Sequence, residues 1–171
     1  MITQEIVCEL IDYELETGKL MWRERDRRWF LSDQDWQWWN KRFARKEAFI
    51  TQSSQGYFRG KILGKLYLAH RIIWLYINGK WPEQIDHINH DRGDNRLINL
   101  REASIQENQK NQSKSRKNVS GHTGIYFDKR TRKWRSYIKN MYLGYFDLFE
   151  DAVSARKEAE IKYDFHENHG V

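Results

Sequence analysis

The chain has one cysteine, Cys8, and one proline, Pro82. A lone thiol excludes an internal disulfide framework and a cysteine-built zinc site, and it reads as a buried, apolar-like side chain. Long apolar runs are missing as well. Mean hydropathy is -0.93, and no stretch approaches the ~20 apolar residues of a bilayer span. The opening Met1-Ile2-Thr3-Gln4-Glu5 is polar and acidic and does not read as a secretory signal. No internal repeat or low-complexity segment is evident.

Aromatic residues are abundant: eight Trp, nine Tyr and eight Phe in 171 residues. Side chains of that size let one compact domain or two small ones bury useful area. The formal net charge is +6 and it is unevenly spread. Between Lys110 and Lys139 there are ten Lys/Arg and one acid, Asp128, whereas Asp147 to Val171 holds seven carboxylates and three bases. The positive charge is a local surface, of the kind that neutralises phosphates.

Alternation at Ala48–Thr51, Gly56–Arg59 and Lys61–Leu68 predicts short antiparallel strands. Ala69–Asn78 reads as a helix stopped by Gly79, with Ile72, Ile73, Tyr76 and Ile77 as its apolar face. Ile85–Ile88 reads as a strand, Asp91–Asn95 as a loop, and Leu97–Leu100 as a strand or tight turn. Ser104 and Glu107 have capping-box spacing for a helix through Asn111. Residues 112–123 have linker composition. Beyond them, Gly124–Asp128, Trp134–Lys139 and Tyr142–Tyr145 read as strands. A last helix is expected from an Asp147 cap to Tyr163, with Leu148, Ala152, Ala155 and Ala159 on its packed side. Packing is the expected role of Trp36, Trp38, Trp39 and Trp134.

Residues 86–108 hold the parts of a phosphodiester-cleaving site. Such a site needs oxygen ligands for a hard divalent cation, and a neutral imidazole to activate water. Asp86 and His87 are neighbours, so a strand points them to opposite sides. Asn108 offers a second oxygen ligand. Asn99 can bond across the loop and hold the His87 imidazole in its productive tautomer. A zinc site on His70, His87 and His90 lacks cysteine partners and regular spacing.

Ile85-Asp86-His87-Ile88-Asn89, Asp94-Asn95-Arg96, Asn99-Leu100-Arg101 and Glu107-Asn108-Gln109-Lys110-Asn111 resemble the HNH motif of phage and intron homing endonucleases. Twelve residues separate His87 from Asn99 and twenty-two separate Asp86 from Asn108, as in that family. The resemblance implies a ββα-metal fold, His87 as general base, Asn99 as its orienting residue, and Asp86 and Asn108 as ligands of one Mg²⁺ that Mn²⁺ can replace. His70, His90 and Asn111 are supporting candidates, with direct chemistry left open for His70; Arg92, Arg96 and Arg101 are surface or phosphate contacts. Thr17–Arg23, Trp39–Ala44, Ala69–Trp74 and Gly79–Pro82 are also similar to stretches in phage members.

Ser120–Phe127, Lys133–Ile138, Leu143–Phe146 and Glu150-Asp151-Ala152 resemble the Apetala-type DNA-binding domain of plant ethylene-response factors. That likeness implies a sheet face on double-stranded DNA. The contact candidates are Arg116, Lys117, Tyr126, Arg130, Arg132, Arg135, Tyr137 and Lys139. Tyr126 and Asp128 stand where those factors carry arginines, so the target sequence does not transfer.

The expected architecture is α+β, with a ββα-metal HNH nuclease core followed by a small three-stranded antiparallel sheet packed on one helix. The nuclease domain covers residues 1–112 with its motif at 85–111, the linker 113–120, the DNA-binding domain 121–165 and a tail 166–171. The expected activity is a site-specific, metal-dependent nick in DNA by a monomer, with no membrane partner, in the cytoplasm of a phage-infected bacterial host. A catalytically silent DNA-binding protein and an RNA-binding or RNA-cleaving module are the alternative readings.

Overall fold

The computed structural model describes residues 2–111, 114–115, 117–167 and 169–170, and of Ile105, Gln106 and Gln109 the backbone alone. The fold is α+β with small antiparallel sheets, and the chain divides into two compact units, Met1–Ser104 and Ile105–Val171.

In the first unit, α1 (Gln4–Leu10) leads into the hairpin of β1 (Ile11–Glu14) and β2 (Lys19–Trp22), and β3 (Glu47–Ala48) adds to β2. Between β2 and β3 lies α2 (Asp33–Phe43), whose Ser32 cap accepts the Asp35 N–H at 3.1 Å. A second sheet has the order β4 (Thr51–Gln52), β5 (Phe58–Ile62) and β6 (Lys65–Leu68). Helix α3 (Ala69–Asn78) follows without a loop and ends at Gly79, where φ is 71° and the N–H reaches the Leu75 carbonyl at 3.0 Å. These elements enclose one core around Val7, Leu10, Ile11, Ile62, Ile72 and Ile73. Each such side chain contributes about 1.5–3 kcal/mol through burial.

The apolar face of α3 is rotated from the expected one. Ala69, His70, Ile72, Ile73 and Leu75 are buried, while Ile77 is 38% exposed. The tryptophans of α2 divide. Trp39 packs edge-on against Trp22, and Trp36 donates its indole N–H to the Arg25 carbonyl at 2.8 Å, but Trp38 is 57% exposed. Asn40, next after Trp39, bonds both backbone groups of Arg25, at 2.9 and 3.0 Å. The Arg25 guanidinium lies over the Trp39 ring at 3.8 Å, and burial draws its pKa down to about 10. This gives the Trp39–Ala44 stretch a structural purpose.

The unit closes with a two-stranded ribbon, β7 (Ile85–His87) and β8 (Leu100–Glu102). Leu97–Asn99 is a single 3₁₀ turn leading directly into β8, so the tight turn and the strand are both present.

The second unit begins with α4 (Ile105–Lys110) and continues with β9 (Ile125–Asp128), β10 (Lys133–Ile138) and β11 (Met141–Phe146) in an antiparallel sheet with β10 central. Helix α5 (Phe149–Lys162) packs on one face of it. Trp134 packs on Phe149 at 4.7 Å between ring centres. Two expectations for α5 are corrected. Leu148, not Asp147, holds the cap position, without a side-chain hydrogen bond. The buried side is Ala152, Arg156 and Ala159, while Leu148 is 60% exposed. Arg156 is tolerated there because its guanidinium donates to the Tyr137 carbonyl and to Glu160, the latter at 2.8 Å.

Candidate active site

The β7–β8 ribbon sets the two central side chains by strand alternation. Asp86 lies directly opposite Arg101, whose Nε and Nη2 donate to Asp86 Oδ2 at 2.9 and 2.8 Å. Arg101, expected as a surface or phosphate contact, therefore orients the carboxylate. His87 points elsewhere. Its ring centre is 5.0 Å from that of His70, nearly perpendicular, and 5.7 Å from that of Tyr57. Asp86 is 5% and His87 4% exposed.

Burial lowers the pKa of His87 because the charged ring would lose water; the Asn95 hydrogen bond and nearby aspartates oppose that only in part. His70 goes down to about 3, from burial first and then the neighbouring His87. Both imidazoles are neutral near pH 7, the form a general base needs. Nδ1 of His70 has no hydrogen-bond partner among the described residues.

Between the strands runs a loop dense in Asp and Asn, whose side chains satisfy its own backbone. Asn99 Oδ1 accepts the Asn89 N–H at 2.9 Å and its Nδ2 donates to the Asp94 carbonyl at 2.8 Å. Asn99 thus ties the two sides of the loop together, and the Asn95 side chain meets the imidazole, with Oδ1 3.3 Å from His87 Nε2. Asp94 is held at a pKa of about 2 chiefly by Arg96, at 2.6 and 2.8 Å. His90 turns the loop with φ 64° and donates its N–H to the His87 carbonyl at 3.0 Å.

Sequence reasoning missed Asn95, Tyr57 and the support behind them. The Tyr13 hydroxyl donates to the Asn95 carbonyl at 3.0 Å. Gly18, with φ 74°, lies so close that a Cβ there would stand 2.5 Å from the Arg96 nitrogen. The Thr17-Gly18-Lys19 stretch was the available signal, because a glycine there reports a close backbone approach.

Asn108 lies on α4 and Asn111 just beyond it, so both belong to the second unit. Among the described residues no three of His, Cys, Asp and Glu cluster as a metal cage. The donor types still fit a Mg²⁺-like ion, which takes one or two protein oxygens and fills its remaining positions from water and phosphate. Asp86 provides a carboxylate fixed in orientation by Arg101.

In the second unit the face of the sheet opposite α5 carries Arg135 at its centre, paired across the strands with Tyr126 and Tyr145. The guanidinium lies 5.2–5.3 Å from the ring centres of Tyr126, Tyr137 and Tyr145. Tyr126 stacks on Tyr137 at 5.6 Å and 11°. Arg130, Arg132 and Lys139 are exposed at the adjacent turns, and Lys117 is exposed outside the sheet. Arg116 lies outside the described residues.

A family model described as HNH endonuclease matches residues 67–110. The match begins in β6 and contains Asp86, His87, Asn95, Asn99 and Asn108. It supports an HNH nuclease, a hydrolase that cuts DNA, and it spans about a quarter of the chain. No curated protein and no solved structure matches the chain. Among the described residues no helix is long and apolar enough to cross a membrane.

Proposed function

We propose that the chain is a site-specific, divalent-metal-dependent DNA endonuclease of the homing type that nicks one strand of a duplex. The observation that carries this reading is the pair on β7: a buried, neutral His87 and an Asp86 clamped by Arg101, inside the segment that matches the HNH model.

The side-chain carbonyl of Asn95, 3.3 Å from His87 Nε2, helps to orient the ring. The neutral His87 imidazole takes a proton from the attacking water. Asn99 keeps the loop closed, so that Asn95 stays in place. Asp86 and Asn108 would hold one Mg²⁺ or Mn²⁺; when bound, the ion stabilises charge on the scissile phosphate and on the leaving oxygen. The ββα-metal fold that the HNH resemblance implies is part of this reading. Its C-terminal unit resembles the Apetala-type domain and grips duplex DNA through the Arg135 face, with Tyr126, Tyr137, Arg130, Arg132, Lys139, Arg116 and Lys117 as contacts. One Asp-His pair per chain acts on one phosphodiester, so a monomer leaves a nick, in keeping with a phage- or intron-borne nuclease.

Supercoiled plasmid carrying the target, incubated with Mg²⁺, Mn²⁺ or EDTA, tests the reading. Open circles should accumulate with either ion and not with EDTA. His87→Ala should slow cutting by about two to four orders of magnitude with DNA affinity retained. Undiminished cutting in EDTA, or wild-type rates from His87→Ala, would overturn it.

A further inference from the structure

The stretch from Ala48 to Pro82 contains no Asp or Glu in 35 residues, yet it carries Arg59, Lys61, Lys65, Arg71 and Lys80. Two of these cations are used within the fold. Arg71 donates to the Pro82 carbonyl at 2.8 Å, and Lys80 pairs with Glu102 at 2.8 Å. Among the described residues, Arg59, Lys61 and Lys65 pair with no carboxylate. Arg59 and Lys61 lie two apart on β5 and so share one face of its sheet. The other face is packed: a Cβ on Gly60 would meet the Phe49 ring at 2.9 Å, and Ile62 is 1% exposed. The register places Thr51 and Leu68 beside Arg59 and Leu66 beside Lys61, with Leu66 55% exposed. This face therefore looks outward. At its start, one residue before β5, Tyr57 contacts both His70 and His87, and the Arg92 guanidinium covers the Tyr57 ring at 4.9 Å. Strand rise puts Arg59 about 7 Å and Lys61 about 13 Å from Tyr57.

We infer that the outer face of the β4–β5–β6 sheet, through Arg59 and Lys61, is a seat for the phosphate backbone of duplex DNA flanking the cleaved bond. This rests on the nuclease reading for the position of that bond. The charge of this face does not depend on that position. A face built from a stretch without carboxylates, with two unneutralised cations in line, attracts a polyanion, and a duplex backbone offers regularly spaced charges along one direction. Such contacts position the substrate and carry no sequence preference.

The test uses the full chain, a labelled duplex of random sequence and EDTA, so that binding is read without cleavage. Salt dependence is measured for the parent, for Arg59→Gln/Lys61→Gln and for the charge-preserving swap Arg59→Lys/Lys61→Arg, with thermal melts alongside. The neutral variant should weaken binding to every duplex and lower the log–log salt slope by about 1.8, or 0.9 per phosphate contact. The swap should keep the parent slope and report on any loss of folding. An unchanged slope in the neutral variant, or tighter binding of duplex RNA than of DNA, would overturn the assignment. If the parent binds duplex with the expected slope change yet never cuts DNA with Mg²⁺ or Mn²⁺, the nuclease reading fails and the phosphate seat stands.

Discussion

The side-chain oxygen of Asn95 lies 3.3 Å from Nε2 of His87. This contact favours the charged ring against the dominant effect of burial. Asn95→Ala should therefore do two things. Cleavage should slow by roughly 10- to 100-fold, the range for an outer-shell partner of a site residue, with DNA affinity unchanged. The acid limb of the pH–rate profile should also move to lower pH, because removing a bond that raises the His87 pKa lowers it further. A slower variant with the parent's pH profile would mean that Asn95 only packs.

Gly18 approaches the backbone of the same loop from the β1–β2 hairpin. A methyl group there meets the Asn95 carbonyl carbon at 2.6 Å, in a conformation with φ 74° that L side chains rarely adopt. Gly18→Ala should cost about 1–3 kcal/mol of stability and should slow cleavage more than a loss of folded protein explains, because the displaced segment carries Asn95. Equal stability in denaturant titrations of parent and variant would show that the loop yields freely.

The elements that position this site were legible where local chemistry decides them. Gly79 marks the end of α3, and strand alternation sends Asp86 and His87 to opposite sides of β7. Long-range pairings were not. Arg101 read as a surface or phosphate contact because its distance from Asp86 in sequence is bridged only by strand register. Asn95 and Asn99 are the same residue type in the same loop, and only the closed loop shows that Asn95 reaches the ring. On α5 a stripe of alanines pointed to the packed side, yet a buried Arg156 takes the middle of it. No helical period anticipates an arginine whose partner is a backbone carbonyl on another element.

Arg135 is held among Tyr126, Tyr137 and Tyr145 on the exposed sheet face of the second unit, beside Asp128 at 3.7 Å. A preoriented guanidinium loses little freedom on meeting a base edge or a phosphate. Arg135→Ala should weaken binding of the cognate duplex by about tenfold or more, while Arg130→Ala, at a turn, should weaken all duplexes mildly and equally. Unchanged cognate affinity in Arg135→Ala, measured by anisotropy at fixed salt, would move the DNA contact off this face.

His70 supplies a pH dependence of stability that is separate from catalysis. In the folded chain burial holds its pKa at about 3, and its Nδ1 lacks a hydrogen-bond partner among the described residues. In the unfolded chain an exposed imidazole titrates near 6.5. Below that value the unfolded state binds a proton that the folded state refuses, so the contribution of His70 is complete above about pH 6.5 and falls away as pH drops toward 3. At one pH unit per 1.36 kcal/mol, moving from pH 7 to pH 5 should remove about 2 kcal/mol through this side chain. His70→Phe keeps a ring against Tyr57 and His87 but cannot titrate. Urea denaturation of parent and variant at the two pH values isolates the difference, because every other group appears in both. The parent should lose about 2 kcal/mol more than the variant between pH 7 and pH 5. An equal loss in the two proteins would mean that the His70 ring accepts a proton within the folded chain, and the neutral assignment of the histidine pair would fail with it.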